Sequence, residues 1–195
     1  MIINALNAAG SFSDREILLF EKEVRSRHLK KGEVLFIKGN VARSLFFVLH
    51  GAVYQYVPKP HAADQIIDLH SAGEWLLSYP SFVAQAPAES SIAAFTDCDL
   101  LEMSIESIHF LIRQSQSFLQ LNKIIEQATS RLYFFDHSLT PLQKYRFIFE
   151  KKPLLLQNFP LKMIASYLKV SPETLSRVRK KFAKDAAVLD LDQVC

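Results

Sequence analysis

The stretch from Pro160 to Lys181, PLKMIASYLKVSPETLSRVRKK, constrains this chain more than any other. It divides into two short amphipathic helices around a tight turn. In the first, Met163, Ile164, Tyr167 and Leu168 fall at helical spacing, and Ala165 is small enough to let another helix approach closely. Ser171 can cap the second helix, and Pro172 suits its first position, where a missing N–H costs nothing. Leu175, Val178 and Phe182 repeat at i, i+3 and i+7, which makes one buried stripe. Glu173, Ser176, Arg177 and Lys180 occupy the opposite face. That face carries side chains able to read base edges and grip phosphates, directly after a turn of three or four residues. The pattern predicts a helix-turn-helix whose second helix is the reader.

A basic helical face is more often a solvated surface on an ordinary αα-hairpin. Two features point the other way. The face combines a carboxylate, a hydroxyl and a guanidinium rather than lysines alone. Charge is also segregated: residues 140–184 hold 11 Lys/Arg against 2 acidic residues, a net of +9, in a chain whose net charge is +3. The remainder therefore sums to −6, and a basic block on an otherwise acidic protein is an electrostatic footprint for double-stranded DNA.

At 195 residues, with 49% apolar and 22% charged residues, the chain has room for one large or two small globular domains. No apolar run reaches the length of a membrane span, and the N-terminus lacks a secretory pattern, so no membrane partner and a cytoplasmic location are expected. Cys98 and Cys195 form no CxxC pair, which argues against a disulfide framework, a zinc site or an iron–sulfur cluster. No metal or other cofactor is expected.

Residues 13–27 open with Ser13 three residues before Glu16, a capping-box spacing, and predict a short helix. From Leu29 to Met103, short runs rich in Val, Ile, Leu and Phe alternate with Gly, Asn and Pro turns. Gly32, Gly39, Gly51 and Gly73 each separate two such runs, as expected of a sandwich, barrel or jelly roll. From Ser104 to about Phe135 the period becomes helical. Phe118, Leu121, Ile125, Ala128, Leu132 and Phe135 fall at steps of three and four, the seam of a two-stranded coiled coil. A helix of about 30 residues would extend some 45 Å, so a dimer interface at Phe118, Leu121, Ile125, Ala128 and Leu132 is expected. The competing reading is a helix packed on its own domain. Thr140 and Pro141 start another helix, which Pro153 closes; the spacing leaves residues 183–195 undecided between a small strand pair and a loose end.

The resulting fold expectation is α+β: a β-roll with an N-terminal helix over 1–103, a dimerisation helix over 104–136, and a helix-turn-helix domain over 137–195. Three parts in this order resemble the Crp/Fnr superfamily of bacterial transcription regulators. KKGEVLFIKGN (30–40), SLFFVLHGAVYQY (44–56) and GEW (73–75) are similar to that family's roll motifs. IASYLKVSPETLSRVRKK resembles its helix-turn-helix signature. The resemblance runs from about Phe20 to Phe182, and its wording is most like versions common in the Bacteroidetes.

The resemblance implies a cyclic-nucleotide-binding-type jelly roll, a winged-helix-like C-terminal domain and a homodimer on a palindromic operator. It implies base contacts from Glu173, Ser176 and Arg177 to a TTGA-like half-site. Ser171, Thr174, Lys180 and Lys181 are expected on phosphates. Pro172 stands where the cyclic-AMP receptor protein has an Arg, so the guanine which that Arg reads should go unspecified. RNA polymerase and an unidentified small-molecule effector are further candidate partners, with Glu74, Ser90 and Ser91 as candidate effector-pocket residues.

Family members that bind cyclic nucleotides pair an arginine with the cyclic phosphate; here that position falls on or near Ala88, and no Lys or Arg occurs between Lys59 and Arg113. An anion without a cationic partner is poorly held, so cyclic AMP is not expected to bind in the family's way. The N-terminal cysteine cluster of the oxygen-sensing branch is absent, and His50 and His70 are scattered residues rather than a ligand set. Lys169 stands in the turn where many such motifs place glycine. No phosphate loop, HExxH or GxSxG motif supports an enzyme. The remaining alternative is a ligand-binding roll whose helical C-terminal domain mediates protein contacts.

Overall fold

The computed structural model describes residues 2–134 and 139–192, with side chains described for 3–128 and 139–184. Two compact units divide the chain, residues 1–132 and 133–195.

The first unit begins with α1 (Ile2–Asn7), which the sequence reading did not anticipate, and α2 (Asp14–Glu23). The Ser13–Glu16 capping box forms as its spacing implies. Eight strands follow among the described residues: β1 (Arg25–Leu29), β2 (Val34–Phe36), β3 (Ser44–His50), β4 (Ala52–Val57), β5 (Gln65–Ser71), β6 (Trp75–Leu76), β7 (Ser91–Ala94) and β8 (Cys98–Ser104). The short α3 (Tyr79–Ala84) interrupts them after β6. They make two antiparallel sheets, ordered β1-β8-β3-β6 and β2-β7-β4-β5. β1, sequence RSRHL, was hidden from hydrophobic patterning because four of its five residues are exposed. Its polar side chains instead make cross-strand pairs, Arg27 with Glu102 and His28 with Asp99.

β3 and β8 explain the unbroken apolar runs of the sequence. Alternate residues point to opposite faces of a strand. Phe46 and Val48 of β3, with Leu100 of β8, enter the core between the two sheets. Leu45 and Phe47, with Leu101 and Met103, enter a second core beneath the helices. Trp75 joins that second core. It meets Phe47 edge-on at 5.3 Å between ring centres and donates its indole N–H to the Ala5 carbonyl at 2.9 Å, which ties α1 to the roll. Gly51, at φ +90°, turns β3 into β4; a Cβ there would meet the Asp97 carbonyl oxygen and come within 2.7 Å of the Cys98 sulfur.

The expected single helix over 104–135 is broken. α4 (Ile105–Gln114) ends at Ser115, a 3-10 turn spans Gln116–Leu121, and α5 (Asn122–Phe134) follows. Ser115 is extended at φ −156°, its N–H closes α4 and its hydroxyl caps the 3-10 turn. A break at Ser115 rotates the next segment. Phe118 and Leu121 are thereby delivered into the core of their own unit, at 0% and 3% exposure, with Ala128 beside them. The coiled-coil assignment of Phe118, Leu121 and Ala128 is therefore corrected: the apolar stripe is covered by α1, α2 and the roll. Ile125 is half-buried against that core. The Leu132 side chain and Phe135 lie outside the described residues.

The second unit contains α6 (Pro141–Lys151), α7 (Pro153–Asn158), α8 (Leu161–Tyr167) and α9 (Pro172–Asp192). Thr140 and Gln143 form a capping box on α6. Pro153, read from sequence as a stop, also occupies the first turn of α7. Among the described residues this unit is helical throughout. No wing of strands accompanies the helices there, and residues 183–192, left undecided by the sequence, continue α9 rather than pairing as strands. Ala183 and Ala186 to Val188 carry no Gly or Pro to stop the helix.

Candidate nucleic-acid interface

α8 and α9 are joined through a tight, fully bonded turn. The Lys169 N–H reaches the Ser166 carbonyl at 3.1 Å, and the Val170 N–H reaches the Ala165 carbonyl at 3.0 Å. This is a Schellman closure, and it needs a left-handed residue at its pivot. Lys169 supplies it at φ 56°, as the sequence reading required. A left-handed lysine costs on the order of 1 kcal/mol relative to glycine. Buried Ile164, Ala165 and Leu168 on one side of the turn and Leu175 on the other offset that cost.

Ser171 then caps α9. Its hydroxyl oxygen accepts the Thr174 N–H at 3.1 Å, and its own proton goes to the Thr174 hydroxyl oxygen at 3.1 Å. The Thr174 hydroxyl, accepting from Ser171, keeps its own proton to donate at a helix N-terminus, a favourable place for an anion. Pro172 and Glu173 complete the first turn.

Along α9 the expected two faces separate. Leu175 is 1% exposed, and Phe182 packs on Tyr145 and Phe149 of α6 at ring-centre distances of 5.4 and 4.8 Å. Glu173, Ser176, Arg177, Lys180 and Lys181 are all exposed. The structure thus brings together the base-reading candidates on one open face with two lysines next to them. The Glu173 carboxyl is held below the usual carboxylate range by its own backbone N–H, then by the Ser171 hydroxyl and the Arg177 charge one turn on. It stays an anion, hence an acceptor.

Sequence reasoning missed the supports of this face. Lys144, read as part of the basic block, is 7% exposed and donates its ammonium to the Leu168 carbonyl at 3.1 Å. Arg146 lies 6.0 Å over the Phe182 ring. Lys144 therefore braces the motif from within, while Arg146 is exposed beside the α6–α9 aromatic cluster.

In the first unit the effector-pocket candidates part company. A cavity of about 370 Å³ opens beside β4, β5 and α3, and Ser90 lines it. Glu74 instead accepts the Ser71 N–H at 3.0 Å and stands 4.0 Å from the His70 ring; Ser91 accepts the Lys38 N–H at 2.9 Å. Gln55, inside the 44–56 motif but not among the expected pocket residues, lines the cavity with Ser90. Cys98 is buried, its thiol donates to the Ala52 carbonyl, and burial pushes its pKa up, which describes a packing residue.

The first unit is a double-sheeted roll with helices beneath it, and the second is a helical unit in which a tight turn leads from α8 into the exposed basic face of α9. Residues 26–115 match the family described as cyclic nucleotide-binding domain. The fumarate and nitrate reduction regulatory protein of Yersinia pestis is 28% identical over 182 residues, covering 82% of this chain and 69% of that one. FixK2 from Bradyrhizobium japonicum has a similar structure, with TM-score 0.63, 15% identity, and coverage of 84% of this chain and 86% of that one. The catabolite activator protein of Thermus thermophilus is also similar, with TM-score 0.53, 20% identity, and coverage of 90% and 86%. Residues 26–115 are thus similar to a cyclic nucleotide-binding domain, and most of the chain is similar to a regulatory protein of the Crp/Fnr type.

Proposed function

We propose that this protein is a sequence-specific, DNA-binding transcription regulator rather than an enzyme, acting in the cytoplasm as a homodimer. The observation that carries the reading is the open face of α9. Glu173, Ser176 and Arg177 stand one helical turn or less apart, at the end of α9 that follows a closed helix-turn-helix turn. The similar Yersinia pestis protein, a regulatory protein by name, supports it.

In this reading the first two turns of α9 enter the major groove. The Arg177 guanidinium donates two parallel bonds to guanine O6 and N7, and Glu173 accepts from cytosine N4. Ser176 touches the neighbouring thymine. The Thr174 hydroxyl, the Ser171 corner, Lys180 and Lys181 hold phosphates, which fix register without reading sequence. The site is a TTGA-like half-site, repeated with its centre one helical turn, roughly 10 base pairs, from the next. The regulator's domains are the roll to residue 103, the segment 104–136 as dimerisation element and 137–195 as the reader. With Phe118, Leu121 and Ala128 sealed in their own core, Ile125 and Leu132 are the remaining seam candidates. RNA polymerase is a further candidate partner.

Selection of bound sequences from a random DNA pool tests this directly. Recovery of an inverted repeat with a TTGA-like half is expected. Recovery of no consensus, with binding lost at modest salt, would favour the alternative in which the helical unit contacts protein.

A further inference from the structure

We propose that the roll cavity binds an uncharged, largely apolar small molecule that makes one hydrogen-bonding contact, at Gln55 and Ser90. This inference is independent of the DNA-binding reading, because it concerns the first unit alone.

The cavity is built, not accidental. Its lip is pinned by backbone bonds from Gly39 to the Ala88 carbonyl at 2.8 Å and from Ala88 to the Asn40 carbonyl at 2.9 Å. The Ser81 hydroxyl accepts the Ala42 N–H and donates to the Ala86 carbonyl, which locks α3 to the same lip. Gln85 ends α3 in the left-handed region at φ 49° and donates to the Phe82 and Ala42 carbonyls. At about 370 Å³ the space sits at the small end of ligand pockets, roughly 300–1,000 Å³.

Its lining selects the chemistry. Val57, Ile67, Pro80, Ala84, Pro87 and Ala88 make the apolar walls. Gln55 and Ser90, each 6% exposed, are joined by a 2.6 Å bond from the amide N–H to the hydroxyl oxygen. That bond leaves the Gln55 carbonyl oxygen as an acceptor and the Ser90 O–H as a donor, an adjacent pair suited to one hydroxyl or amide of a ligand. The charged residue on the lining is Glu89, a carboxylate, with no Lys or Arg beside it. An anion entering here would lose its water and find no Lys or Arg on the lining to offset that loss. A cation would find Glu89 exposed, where an ion pair is worth little, and apolar walls that repay none of its desolvation. A neutral molecule loses least and gains the walls.

The experiment uses the full chain, with thermal melts and titration calorimetry against matched probes: indole-3-ethanol (neutral), indole-3-acetate (anionic), tryptamine (cationic) and cyclic AMP. Indole-3-ethanol should raise the melting temperature and bind at least tenfold more tightly than either charged counterpart or cyclic AMP. Ala84→Trp, at an exposed position on the wall, should fill the cavity and abolish that binding while melting like the parent. Gln55→Leu should weaken indole-3-ethanol but spare indole, which lacks the hydroxyl. Ala88→Arg should shift preference toward indole-3-acetate. Equal or tighter binding of the anion or cyclic AMP by the parent chain would overturn the proposal. So would absence of binding by indole-3-ethanol and indole up to their solubility limits, or affinity unchanged in Ala84→Trp.

Discussion

The ammonium of Lys144, on α6, donates to the carbonyl oxygen of Leu168 at 3.1 Å, and Leu168 ends α8 one residue before the left-handed Lys169. A cation is thereby placed on the negative end of α8, where helix carbonyls lack partners. One side chain holds three elements of the reader in register: α6, α8 and the turn that launches α9. Lys144→Met keeps the stem's packing and removes the charged bond. It should cost about 1–3 kcal/mol of stability, seen as a lower denaturation midpoint. DNA affinity should fall at temperatures near that midpoint, while base preference in a selection experiment stays the same.

Arg177→Ala tests the reader itself. It should cost about 1–3 kcal/mol on the selected site and relax the choice at one guanine. Lys181→Ala should weaken all sequences alike and flatten the salt dependence by about one counterion. If Arg177→Ala leaves affinity and base preference unchanged, α9 is not the reading helix.

Phe118 separates core from seam. Phe118 is a fully buried ring tilted against Phe12 at 5.4 Å between ring centres, so its replacement by Ala should destabilise the first unit by about 3–5 kcal/mol. Light scattering on the protein that remains folded should show the parent's oligomeric state. A variant that melts like the parent but dissociates would return Phe118 to an interface.

Glu16 makes the first unit acid-sensitive. Its carboxylate accepts the Ser115 hydroxyl at 2.6 Å and the Ser13 N–H at 2.7 Å, and these bonds lower its pKa from 4.5 to about 2. A depressed carboxyl stabilises the fold above its unfolded pKa and loses that contribution as pH falls through the folded one. Glu16→Gln should therefore melt below the parent at pH 7, and the gap should narrow from about pH 4.5 down to about pH 2. A gap constant across that window would show that Ser115 does not bond the ionised form.

What the sequence by itself determined is what short-range geometry specifies. Ser13 with Glu16, Thr140 with Gln143, and Ser171 before Pro172 start helices because cap and backbone N–H groups lie three residues apart. The i, i+3, i+4 spacing of Glu173, Ser176 and Arg177 places them on one face whatever surrounds the helix. The glycine-spaced apolar runs of the roll were legible for the same reason, since a turn and an alternation are local. Tertiary structure alone decided what covers each apolar stripe. A seam of Phe118, Leu121 and Ala128 reads alike whether its partner is a second chain or α1, α2 and the roll. The break at Ser115 settled it by turning those residues inward. β1 was invisible because four of its five residues are exposed and its place is set by pairing with β8, through the backbone and through Arg27 and His28. Gln55 and Ser90 lie 35 residues apart in the chain and meet across one hydrogen bond. No periodicity records such a meeting, because a cavity belongs to the folded surface and not to any stretch of the chain.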